Sequence, residues 1–142
     1  ISTTLLEHVP SNESAARSVF EGLRPSGSTH HYVPGRNHPS ALATRMIGPT
    51  LQRFLIPILR PNVPQGTSGY TTYFNECSPR SMQRLFDKAG FEDIDVRSFY
   101  RANDYFAWFT PAFVAISAFE NLCKRFGWST FASGFVISAR RP

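Results

Sequence analysis

Two adjacent side chains near the start of the chain have the types needed for acid–base chemistry: Glu7 and His8, in "LLEHVPSNESAARSVFEGLRPSG". An imidazole whose ordinary pKa lies near neutrality can take a proton from a hydroxyl, and a neighbouring carboxylate can orient the ring or bind a cation. The same pair can equally tie a strand end to nearby loops, and residue types alone leave both readings open. Asn37 and His38 follow a short strand candidate, and Tyr70 and Tyr73 precede a well-capped helix, so all four sit where loops can shape a pocket. His30 and His31 lie inside the strand itself, where packing is the expected role. Cys77 and Cys123 lack metal-ligand spacing and read as reduced thiols of a cytosolic protein.

The elements that would position these residues follow from local pattern. Residues 1–6 read as the end of a buried strand, and Ser11 or Asn12 can cap the helix after it, with Glu13 in the first turn. Ala16, Val19, Phe20 and Leu23 mark one face of that helix, and Pro25-Ser26-Gly27 ends it. Residues 28–33 form a short strand, which completes a strand–helix–strand unit of the kind that builds a parallel sheet. The rhythm then breaks. Residues 41–47 and 51–59 look helical, but Pro49, Pro57, Pro61 and Pro64 cut the stretch into pieces, and 65–69 is a polar loop. Residues 36–69 therefore read as an insertion over one end of the sheet.

Regularity returns at Ser78, a good N-cap followed by Pro79 at the first helical position. Met82, Leu85, Phe86 and Ala89 supply the buried stripe and Gly90 the stop. Ile94, Val96 and Ser98 alternate with Asp95, Arg97 and Phe99, as in a half-buried strand. The uncharged run "YFAWFTPAFVAISAF", 105–119, is too short to span a bilayer and holds Pro111 as an interruption. It belongs to a second insertion, 104–127. Residues 131–139 supply the last strand.

Composition sets the outer bounds. With 142 residues, 42% of them hydrophobic, and 13 Phe to bury, the chain suits one globular domain or a substantial piece of one. It opens on Ile1 with no lead-in to the first strand, and the reading is that it starts inside a domain. No signal-peptide pattern is visible. The net charge of +5 is concentrated: no acid lies between Glu21 and Glu76, an interval holding Arg24, Arg36, Arg45, Arg53 and Arg60. Such a segment can meet phosphate, an acidic substrate or an anionic membrane surface, or can be a solvated face. Nucleic acid is not expected, because the arginines are sparse and no binding motif accompanies them.

Four pieces in order, "LLEHVPS…LRPSG", the strand after it, "SPRSMQRLFDKAGF" with its following strand, and "GFVISARRP", resemble the C-terminal half of a class I S-adenosylmethionine-dependent methyltransferase. The resemblance implies an α/β, Rossmann-like half-sheet of strands 4-5-7-6, the last strand antiparallel, with helical insertions. It places Glu7 and His8 at the carboxyl end of strand 4, facing the cleft between cofactor and acceptor, with His8 as base. It gives Asn37, His38, Tyr70 and Tyr73 to the acceptor pocket. The family's Gly-rich turn and acidic ribose ligand are absent, and Gly66 and Gly69 follow no strand and open no helix. The chain thus reads as a partial domain, 1–142, without the cofactor-binding half. Ser26 stands where the family has the first of two glycines, a tolerable departure if only Gly27 needs positive φ.

Quinone-biosynthesis O-methyltransferases similar to this family bind a divalent cation through Glu-x-x-Glu-His, which corresponds here to Thr4, Glu7 and His8. Without the first carboxylate no metal is expected. The activity implied is methyl transfer from S-adenosyl-L-methionine to a small-molecule or lipid-like acceptor, at oxygen, with little activity in the isolated chain. The competing reading is a non-catalytic module using its basic and aromatic insertions on a membrane surface or a partner. Self-association through an exposed strand-4 edge, and a cytoplasmic location with peripheral membrane contact, complete the expectations.

Overall fold

The computed structural model describes residues 1–59 and 71–142, with the backbone alone at 44, 49, 52, 53 and 55–59. The elements run β1 (Ser2–Thr3), α1 (Asn12–Gly22), β2 (Ser28–Pro34), α2 (Pro39–Leu59), α3 (Pro79–Ala89), β3 (Glu92–Phe99), α4 (Thr110–Phe126) and β4 (Gly134–Arg140). The strands form one sheet in the order β1-β2-β4-β3. β1 is parallel to β2, whereas β4 lies antiparallel to both of its neighbours. This is the 4-5-7-6 half-sheet of a Rossmann-like methyltransferase fold, with the strand that is last in sequence inserted between the two before it.

Alternation along the strands decides which face is buried. Thr29, His31 and Val33 of β2 and Phe135, Ile137 and Ala139 of β4 point to a core shared with Met82, Leu85 and Phe86 of α3. α1 packs against α3 on the same side. Phe86 stacks on Phe91 at 4.9 Å and meets the His31 ring edge-on at 5.7 Å. The other sheet face presents Tyr32, Val136 and Arg97, which are register neighbours.

Helix ends follow local chemistry. The Ser11 hydroxyl accepts from the Ser14 amide at 3.2 Å, and the Ser78 hydroxyl from the Ser81 amide at 3.3 Å. Each satisfies one of the amides that a helix start leaves without a partner. Gly90 closes α3 at φ 97°. In α2 the expected break falls at Gly48, whose φ of 73° and ψ of 163° separate two helical pieces ahead of Pro49.

Three local expectations are corrected. The first strand is two residues long rather than six: Thr4 takes a left-handed φ of 52°, and a short 3-10 turn, Leu6–His8, follows. Pro111 does not interrupt a helix but sits in the first turn of α4, where its missing N–H costs nothing. At the turn before β2 it is Ser26, not Gly27, that has positive φ, 62°. Ser26 is held there by its amide on the Arg141 carbonyl at 3.0 Å, while Gly27 is needed because a Cβ would stand 2.8 Å from the Arg24 carbonyl oxygen.

Candidate active site

The carboxyl ends of β1 and β2 open onto a cleft of about 600 Å³, on the sheet face opposite α1 and α3. Thr4 and Pro34 stand at those strand ends, Tyr32 and Val136 form the floor, and Ser133 and Phe99 close one side. The two insertions make the roof. Ser40, Ala41 and Ile47 come from α2, and Tyr105 and Phe106 from the 3-10 turn Asn103–Phe106. Open α/β sheets place ligands beyond the carboxyl ends of their parallel strands, and the size suits a small organic molecule. Tyr32 is the central floor residue. Its side chain crowds Gly134, where an added Cβ would meet the hydroxyl oxygen at 2.5 Å. Burial, then the nearby Tyr105 and Glu7, push its hydroxyl pKa up, so it stays a neutral donor and acceptor.

Glu7 and His8 stand beside this cleft rather than on its lining. The backbone carbonyl of Glu7 accepts from the Tyr73 amide at 2.8 Å and the Phe74 amide at 3.2 Å, which seats Phe74 in the cleft wall. The Glu7 carboxyl is buried, with one oxygen lacking a hydrogen-bond partner, and burial raises its pKa. His8 is partly exposed. Its Nδ1 donates to the Thr71 carbonyl at 2.8 Å, because a carbonyl can only accept. That fixes the tautomer and leaves Nε2, 3.7 Å from a Glu7 oxygen, as the nitrogen able to take a proton.

Asn37 is half-buried in the turn after β2. His38 is fully buried: its Nδ1 accepts from the Ser40 amide at 3.2 Å, and its Nε2 lies 3.3 Å from Glu120 of α4 without a good hydrogen-bond angle. Burial depresses the His38 pKa to about 4 and raises that of Glu120. Tyr73 is exposed at 44%. Tyr70 lies outside the described residues.

Three residues of the site escaped sequence reasoning. Tyr32 and Arg101 line the cleft, and Glu120 clamps the segment beside it by accepting from the Ala102 amide at 2.6 Å. Glu120 carried a signal, as the only charged residue in the run 105–122. Among the described residues no cluster of three His, Cys, Asp or Glu side chains has metal-site geometry.

No protein-family model matches the chain, and no curated protein matches it by sequence. Solved structures do. Haemonchus contortus phosphoethanolamine N-methyltransferase 2 in complex with S-adenosyl-L-methionine superposes on 99% of this chain at a TM-score of 0.50 and 11% identity. The same enzyme with phosphomonomethylethanolamine and S-adenosylhomocysteine superposes at a TM-score of 0.52, again at 11% identity. The fold is that of a partial Rossmann-like methyltransferase. The chain spans 32% of the length of each of these enzymes.

The cleft does not fit S-adenosylmethionine on its own. Among the described residues no carboxylate lines it to hold a ribose, and no Gly-rich strand-to-helix turn opens onto it.

Proposed function

We propose that the chain is the C-terminal portion of an S-adenosylmethionine-dependent methyltransferase and supplies the acceptor side of its active site. The observation that carries this reading is the cleft's position: at the carboxyl ends of β1 and β2, roofed by both insertions, beside an acid–imidazole pair. The acceptor is a small or lipid-like molecule methylated at oxygen. His8 Nε2 takes the hydroxyl proton, Glu7 orients the ring, and Asn37, His38, Tyr70 and Tyr73 shape or support the pocket. Positioning by the cleft walls does most of the catalytic work.

Two measurements test it. Calorimetric titration of the 142-residue chain with S-adenosylmethionine should show no micromolar binding. In the complete protein, His8→Ala should lower turnover about 10²- to 10⁴-fold while cofactor affinity stays within a factor of two or so. Unchanged turnover at saturating acceptor would return His8 to a structural role.

One feature favours a second reading, a membrane-surface or partner-binding module. Trp108, Val114, Leu122 and Phe126 on and beside α4 are each about half-exposed, next to Lys124 and Arg125. Among the described residues no helix is long and apolar enough to cross a membrane. Co-sedimentation with anionic vesicles, lost on replacing Trp108 and Phe126, separates this reading from the first.

A further inference from the structure

Among the described residues the cleft is lined by apolar and hydroxyl-bearing side chains and by one charged side chain, Arg101. Ile47, Phe74, Phe99 and Phe106 give it an apolar body. Arg101 stands just past the end of β3, on a backbone that two other elements hold in place. Its own amide donates to the Ser133 hydroxyl at 2.8 Å, and that hydroxyl donates to the Phe99 carbonyl at 2.9 Å. The next amide, of Ala102, donates to the buried Glu120 carboxyl at 2.6 Å. A buried carboxylate is an expensive group to use as a backbone clamp, and here it fixes the stem of a cation that lines the cleft.

Among the described residues Arg101 makes no ion pair, and no carboxylate lines the cleft. The acid nearest in sequence, Asp104 in the turn Asn103–Phe106, makes no ion pair with Arg101, and Asp95 and Glu120 are engaged with Arg97 and with the Ala102 amide. A guanidinium beside a largely apolar cavity binds a carboxylate or phosphate in a bidentate fork, with short charge-assisted hydrogen bonds.

We propose that the cleft takes an amphipathic anion, its apolar body against Ile47, Phe74, Phe99 and Phe106 and its carboxylate or phosphate on Arg101. The proposal rests on the reading of this cleft as the acceptor site and specifies the acceptor's chemical class. It assigns Arg101 as the residue that selects for charge.

The test is binding to the 142-residue chain, by calorimetry, of dodecanoate, dodecyl phosphate and dodecanol, each below its aggregation concentration and without S-adenosylmethionine. The two anions should bind about 10- to 100-fold more tightly than the alcohol at low salt, the range expected of a charge-assisted contact. The ratio between them identifies carboxylate or phosphate as the preferred head. Arg101→Gln should abolish the anion advantage and leave dodecanol affinity unchanged, while Arg101→Lys should keep part of it. Raising the salt should narrow the gap in the native chain alone. Equal binding of all three probes, no binding of any, or an advantage that survives Arg101→Gln would overturn the proposal. Amphiphile binding that persists while the complete protein transfers no methyl group would remove the enzymatic reading and leave this one standing. Methyl transfer with no preference for anionic acceptors would do the reverse.

Discussion

Acid should unfold this protein in part through His31. Both of its ring nitrogens are already engaged by hydroxyls, Nδ1 by Ser2 at 2.7 Å and Nε2 by Thr29 at 2.6 Å, and its ring edge lies on Phe86. Among the described residues no carboxylate pairs with it, and burial first, then the charges of the N-terminus and His30, hold its pKa down at about 4 against an ordinary 6.5. A base with a depressed folded pKa stabilises the fold above its unfolded pKa, and that contribution is lost as pH falls. In this window the unfolded chain binds a proton that the folded chain refuses. The gap from 6.5 to about 4, at about 1.4 kcal/mol per pH unit, corresponds to roughly 3 to 4 kcal/mol. His38 acts in the same sense and over the same window. Glu7 and Glu120 act in the opposite one, because burial raises both and their ionisation costs the fold stability as pH rises.

Comparing the native chain with His31→Gln cancels these other groups. The amide can still meet Ser2 or Thr29 but cannot titrate. Urea denaturation from pH 7.5 to pH 4.5 should show the native chain losing about 1.4 kcal/mol more per pH unit than the variant below about pH 6. Superimposable pH slopes for the two proteins would refute the reasoning. So would a steeper slope for the variant.

Two further outcomes follow from packing. At Gly35 an added Cβ would fall onto the backbone carbonyl oxygen of Ala132, which cannot move away. At Gly134 it would meet the Tyr32 side chain, which can swing aside at the expense of the cleft floor. Gly35→Ala should therefore destabilise by more than about 3 kcal/mol and Gly134→Ala by about 1–3 kcal/mol, read from urea midpoints; the reverse ranking would contradict the geometry. Cys77 is fully buried, and burial pushes its thiol pKa up to about 12. Its reaction with a disulfide reagent at pH 8 should follow the unfolding rate, and rapid labelling of the native protein would show that the thiol is open.

Much of the fold is local and so was legible. Ser78-Pro79 and Gly90 bound α3, and alternation in β3 separated Ile94 and Val96 from Asp95 and Arg97, because capping and side-chain period depend on neighbours a few residues away. The 4-5-7-6 order came from the resemblance of four spaced segments, not from any one of them. What stayed hidden depends on groups far apart in sequence. Ser26 takes positive φ because the Arg141 carbonyl, brought alongside by β4, holds its amide. Glu120 reads as one acid in an apolar helix until folding sets it against His38 and the Ala102 amide. Tyr32 and Arg101 share a cleft only because β4 comes between β2 and β3, laying Val136 beside both strands. Residue type supplied the chemistry that is available at each position. Which of those groups meet was decided by the crossing of the chain, since a contact between distant residues is a property of topology and leaves no mark at either residue alone.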